Sequence, residues 1–182
     1  MSQAFFRLAF FLASLLLALP SVSLATAPAE TATISKESIY NRSYRCGDGG
    51  AAFVFANGAF AAKVEHSPGV FVNIEARIMA SALGAATPDG KPGAAVIYTY
   101  TAGGEGLYFV LTLVQPKASK APELIDAACT ELGDRVRVEA LKLENGQIVV
   151  DMLVHGANDQ ACCPTEPRTM RFSLKGDMLV EN

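Results

Sequence analysis

The chain contains no H-E-x-x-H, no G-x-S-x-G and no Walker loop, so it lacks the sequence marks of a zinc protease, a serine hydrolase or a P-loop nucleotide enzyme. Polybasic and Pro-rich blocks are missing, and no internal repeat is found. Across 182 residues, 15 basic side chains stand against 18 acidic ones, a net charge of −3. Nucleic-acid binding needs a basic face, so this mild acidity argues against that class. The loop "TPDGKPG" offers a single acid, Asp89, where a calcium loop presents several. No cofactor is expected.

What is present begins at the N-terminus. "MSQAFFRLAFFLASLLLALP" places Arg7 before an apolar run from Leu8 to Leu19, and "SVSLATA" follows with Ala25 and Ala27 at small-x-small spacing. This is the pattern of an export signal cleaved after about Ala27. The run ends at Pro20, short of the roughly 20 apolar residues that cross a bilayer. No cysteine ends it as a lipid attachment site. The expectation is a periplasmic or secreted protein with no stable membrane anchor after cleavage. Removal of 27 residues leaves 155, enough for one domain, with 14 basic against 18 acidic residues. Residues 28–42 read as a flexible lead-in and 43–182 as a single β-domain.

Two Asn-Gly pairs mark hairpins of the type I′ turn, in which both central residues take positive φ. At Asn57-Gly58 the expected pairing sets Phe55 against Phe60 and Phe53 against Ala62. At Asn145-Gly146 it sets Leu143 against Ile148 and Leu141 against Val150. "FVNIEARIMA" alternates, with Val72, Ile74, Ala76, Ile78 and Ala80 on one side and Asn73, Glu75 and Arg77 on the other. "SALGAATPDGKPG" reads as a loop. "AAVIYTYT" and "LYFVLTLVQ" read as central strands, and "TMRFSL" turns Met170, Phe172 and Leu174 inward. "PELIDAACTELG" breaks the β pattern, and Pro122 at a first turn predicts a short helix near 122–130. The fold class is mainly β, an antiparallel sandwich or small barrel of about eight strands.

Four cysteines, Cys46, Cys129, Cys162 and Cys163, follow the export signal, and an even count in an exported chain favours disulfides. In extended backbone, neighbouring side chains point to opposite faces, and Pro164 holds Cys163 extended. A Cys162–Cys163 bridge needs a strained link between neighbours. The expected pairings therefore join each of these two to Cys46 or Cys129, with the partners left open. The competing readings are a metal site of Cys162, Cys163, His155 and Asp159, and a Cys-His nucleophile near His155.

From Gly84 onward the chain resembles a widespread group of uncharacterised exported bacterial proteins. The residues concerned are "PDGKPGAAVIYTYTAGGEGLYFVLTLV", "LGDRVRVEALKLENGQIVVDMLVHGANDQACCPT" and "RFSLKGDMLVE". Members of that group carry an acidic D-x-D-G-D-G-like stretch where this chain has "GAATPDGKPG". The resemblance implies export and a compact β-domain. Near the start, "YRCGDGGAAFVFANGAFAAKVE" is similar to the opening strands of periplasmic inhibitors of C-type lysozyme. That similarity implies a small barrel and the same compartment.

The functional expectation is a non-catalytic envelope protein that binds a protein, a glycan or a small ligand through its loops. Candidate binding residues are Arg135 and Arg137 in "DRVRV", Tyr98 and Tyr100, and His155 with Asp159. The alternative is a metal-binding or thiol-dependent protein centred on His155, Cys162 and Cys163.

Overall fold

The strand "PGAAVIYTYTA" is nearly all apolar at its centre because it is buried on both faces, and the architecture follows from that. A computed structural model describes residues 34–46, 52–117 and 123–182. The expected export signal and the first part of the lead-in lie outside them. Among the described residues, one short helix and eleven strands follow in chain order. They are α1 (Lys36–Tyr40), β1 (Ser43–Arg45), β2 (Ala52–Val54), β3 (Ala59–Ser67), β4 (Val70–Ala85) and β5 (Pro92–Ala102). After these come β6 (Tyr108–Pro116), β7 (Leu124–Asp134), β8 (Arg137–Glu144), β9 (Gln147–Val154), β10 (Glu166–Lys175) and β11 (Met178–Glu181).

All pairings are antiparallel. A five-stranded sheet runs β3-β4-β5-β6-β7, a four-stranded sheet runs β11-β10-β9-β8, and β1 pairs with β2. The two large sheets face each other across a core that includes Ile97, Leu111, Leu113, Ile148, Val150, Met152 and Phe172. The other side of the five-stranded sheet carries a second core, where Val96, Tyr98, Val110 and Val114 meet Ile39 of α1, Tyr44 of β1, and Phe53 and Phe55. The molecule is therefore a sandwich with an added cap of α1, β1 and β2, and its sheets keep free edges rather than closing as a barrel. No helix among the described residues is long and apolar enough to cross a membrane.

Several sequence readings hold in detail. Asn145 and Gly146 have φ of 52° and 74°, and Leu143 pairs with Ile148 and Leu141 with Val150. Met170 and Phe172 are buried. Others are corrected. Residues 124–134 form a strand rather than a helix, and the short helix lies at Lys36–Tyr40, inside the expected lead-in. A capping box sets that helix: the Ser38 amide donates to the Ser35 hydroxyl oxygen at 3.1 Å, and the Ser35 amide donates to the Ser38 hydroxyl oxygen at 2.9 Å. Strand β7 was illegible because its register against β6 shifts twice, near Ala127 and near Leu132. Each extra residue breaks the alternation that identifies a strand.

The first Asn-Gly turn forms, with φ of 52° at Asn57 and 78° at Gly58, but the hairpin beyond it is a single bridge, Ala56 to Ala59. Strand β2 leaves to pair with β1, and β3 pairs with β4. Phe55 therefore enters the cap core instead of facing Phe60. "SALGA" is strand, since β4 runs to Ala85. A register shift at Met79 also divides the expected face of that strand. Ala76 and Ile78 belong to the cap core, whereas Ala80 packs against the core between the sheets.

Candidate functional site

The cysteines divide into two unlike bridges. Cys46 pairs with Cys129 across 83 positions, with Cα atoms 6.0 Å apart, and so joins the cap to the edge strand β7. Beside it the Arg42 guanidinium donates to the Asp126 carboxylate at 2.6 Å and to the Leu124 carbonyl at 3.2 Å. The Arg45 amide donates to the other Asp126 oxygen at 2.9 Å. The covalent and ionic ties fall on the same strand, while beside β3 at the other edge the Gly58 amide donates to the Tyr40 carbonyl at 2.8 Å. The second bridge is Cys162–Cys163. This corrects the expected pairings: the last two cysteines join each other, and with both described pairs complete no cysteine is free.

The loop carrying that pair connects β9 to β10 and is organised by Asp159. Its carboxylate accepts from the Gly156 amide at 2.9 Å, the Thr165 amide at 2.7 Å and the Thr165 hydroxyl at 2.8 Å. These bonds, led by the one from Gly156, hold the Asp159 carboxyl below its usual range. Asp159 is thus a loop-building residue, its oxygens engaged within the chain. Pro164 is buried, while Cys162 and Cys163 are exposed and His155 is half-buried. Among the described residues no group of three His, Cys, Asp or Glu side chains converges as a metal site. In the "TPDGKPG" loop, Asp89 accepts from the Thr87 hydroxyl and pairs with Lys91 at 3.0 Å.

The remaining candidates scatter. Tyr98 is fully buried, ringed by Tyr44 at 5.6 Å, Phe55 at 5.6 Å and Phe53 at 6.0 Å. It is a core residue rather than a contact surface, and burial pushes its phenol well above the usual value. Tyr100 is half-buried and stacks on Tyr108 with ring centroids 5.2 Å apart. Arg135, at φ 50°, donates to the Glu105 carbonyl at 2.6 Å and so fastens the β5–β6 loop. Arg137 is exposed and pairs with Glu139 at 2.9 Å. Asp126, Glu131 and Asp134 do not form a cluster: Asp126 serves the cap, Glu131 is exposed, and Asp134 accepts from the Leu107 amide at 2.8 Å.

A groove that no motif announces is better built. The face of β5 that carries Ala95 and Ile97 into the core continues as Thr99 and Thr101. There the inner face turns polar: Thr99 is buried and Thr101 half-buried, while Glu75 and Arg77 beside them on β4 are exposed. Thr99 pairs with Arg77 and Thr101 with Glu75, while Ala59 and Ala61 of β3 lie across from Arg77 and Glu75. The result is two short rows, Ala59–Arg77–Thr99 and Ala61–Glu75–Thr101. Rows on one sheet face stand about 7 Å apart, two residues along the strand. The register shift at Met79 puts Arg77 and Glu75 on this face, because without it they would share the side of Ala80 only by breaking the strand's period. Small alanines on the edge strand leave both charged heads uncovered. Leu107 also lines the resulting groove of about 410 Å³. Among the described residues no ion pair engages the side chain of Arg77 or Glu75. The Thr99 hydroxyl donates to the Arg77 carbonyl at 3.4 Å, and the Thr101 hydroxyl oxygen accepts from the Glu75 amide at 3.2 Å. The reading of "FVNIEARIMA" placed Glu75 and Arg77 together on the polar side. Only the strand pairing adds Thr99 and Thr101 to them.

No family model, no curated protein and no solved structure matches this chain.

Proposed function

We propose that this is an exported, disulfide-stapled, non-catalytic envelope binding protein, and that it takes a small ligand carrying both signs of charge in the groove over β3, β4 and β5. The observation that carries the reading is the pair of exposed charges, Arg77 and Glu75, whose side chains stand unpaired among the described residues on adjacent rows of one sheet face. Sites on strands hold their geometry better than sites on loops, and a guanidinium and a carboxylate on adjacent rows of one face complement the carboxylate and the amine of an amino-acid or short-peptide ligand. Export is supported by the N-terminal signal pattern and by two disulfides, which persist outside the reducing cytosol.

Titration of the isotopically labelled mature protein with amino acids, tripeptides, amino sugars and neutral sugars tests this by NMR. Ligands bearing both an amine and a carboxylate are expected to shift the amides of Glu75, Arg77, Thr99 and Thr101, and Arg77→Ala is expected to abolish the response. No shift at millimolar ligand, or shifts elsewhere on the surface, overturns the assignment. The resemblance of the opening strands to periplasmic inhibitors of C-type lysozyme is tested directly: unimpeded C-type lysozyme at micromolar protein retires an inhibitory role.

A further inference from the structure

The Cys162–Cys163 bridge fastens nothing. It joins neighbours with a sequence separation of 1, so it closes no loop and limits no distant motion of the unfolded chain. Consecutive Cα atoms across a trans peptide are fixed at 3.8 Å, the spacing found here, and this lies below the span that disulfides usually adopt. Bridges outside that span, and bridges exposed to solvent, are the more readily reduced ones. Both cysteines are exposed at the surface of the β9–β10 loop. That loop is also held without their help. Asp159 ties Gly156 to Thr165, the Cys163 amide donates to the Gln160 carbonyl at 2.9 Å, and the strands on either side pair from Val154 and Glu166 onward. The other bridge is the opposite case, partly buried against the cap core and closing a long loop.

We propose that Cys162–Cys163 is a thiol–disulfide exchange site, reversibly reduced by dithiols of the envelope while the fold stays intact. This inference is independent of the groove. A donor thiolate attacks one of the two sulfurs, the Cys162–Cys163 bond breaks, and the other cysteine leaves as a thiolate. The donor's second thiolate then attacks the donor sulfur of the mixed disulfide and releases the remaining cysteine, so that both are reduced. Two electrons pass from the donor, which leaves as its own disulfide, and the protons given up by the donor's thiols balance those the two cysteines take on as thiols. Asp159 and the strand ends keep the two sulfurs presented at the surface throughout.

The test uses the oxidised mature protein in graded dithiothreitol without denaturant, followed by alkylation and peptide mapping. Cys162 and Cys163 are expected to be alkylated together at a reductant concentration at least tenfold below that needed for Cys46 and Cys129, with the circular dichroism unchanged. Oxidised glutathione is expected to restore the bridge. Cys163→Ser is expected to form a one-to-one mixed disulfide with glutathione through Cys162. Reduction of both bridges at the same concentration, or of the Cys162–Cys163 pair only on unfolding, overturns the proposal. So does a peptide map that pairs either cysteine with Cys46 or Cys129, or a Cys163→Ser protein inert to glutathione.

Discussion

Replacing both Cys46 and Cys129 with alanine removes the one bridge that spans the molecule. The bridge links positions 83 apart, and loop-closure entropy at that length corresponds to about 4.5 kcal/mol at 25 °C. The packing of Ile39, Tyr44, Phe53 and Phe55 and the Arg42–Asp126 pair remain in the folded variant, so the effect falls chiefly on the unfolded chain. A loss of about 3–4.5 kcal/mol is therefore expected, a fall of roughly 10 °C in the melting midpoint for a domain of this size. The matched control, Cys162→Ser with Cys163→Ser, is expected to lose less than about 1 kcal/mol, since no loop opens. Urea unfolding measures both. The chain has no tryptophan and five tyrosines, two of which, Tyr44 and Tyr98, are fully buried in the cap core. Tyrosine emission therefore reports the cap, and far-ultraviolet dichroism reports the sheets. In the bridge variant the tyrosine transition is expected to precede the dichroic one, as the cap opens first. A loss below about 1 kcal/mol, or equal losses in the two variants, would refute the division into one staple and one local bridge.

Asp126→Ala strips the half-buried Arg42 guanidinium and the Arg45 amide of their acceptor, and a loss of about 2 kcal/mol is expected by chemical denaturation. Gly146→Ala places a Cβ into the Thr87–Pro88 backbone at φ 74° and is expected to cost about 2–4 kcal/mol. Gly176→Ala, at φ 65° with open space around it, is expected to cost only about 1. The Asp159 carboxyl is depressed in the folded state, so its contribution is complete above the unfolded value of about 3.9 and is lost as pH falls through the folded value. The Gly156 and Thr165 amide resonances are expected to hold steady down to about pH 4 and to move below it, and Asp159→Asn is expected to remove that titration. An inflection above pH 4 would show that the carboxylate is not held as described.

The candidate site was only half legible in the sequence. Glu75 and Arg77 read correctly as the polar side of one strand, but that side first reads as plain solvent exposure. Its partnership with Thr99 and Thr101 depends on which residue of β4 lies opposite which residue of β5. Tyr98 illustrates the opposite error. An aromatic in a threonine-rich strand reads as a surface contact until the cap is seen to lie over it. The cap itself hid because its helix has only five residues, too short to show a period.

Local chemistry fixed whatever depends on neighbours in the chain: the φ-positive Asn-Gly turns, the central place of β5 and β6, the inward set of β10 and the mainly β class. Tertiary structure alone decided the rest. Extra residues in β4 and β7 shift which side chains share a face, and only pairing to a specific partner strand reveals where they fall. Disulfide partners are likewise a matter of which sulfurs the folded sheets bring together. Cys46 met Cys129 because the cap lies against β7, and that left the adjacent pair to each other.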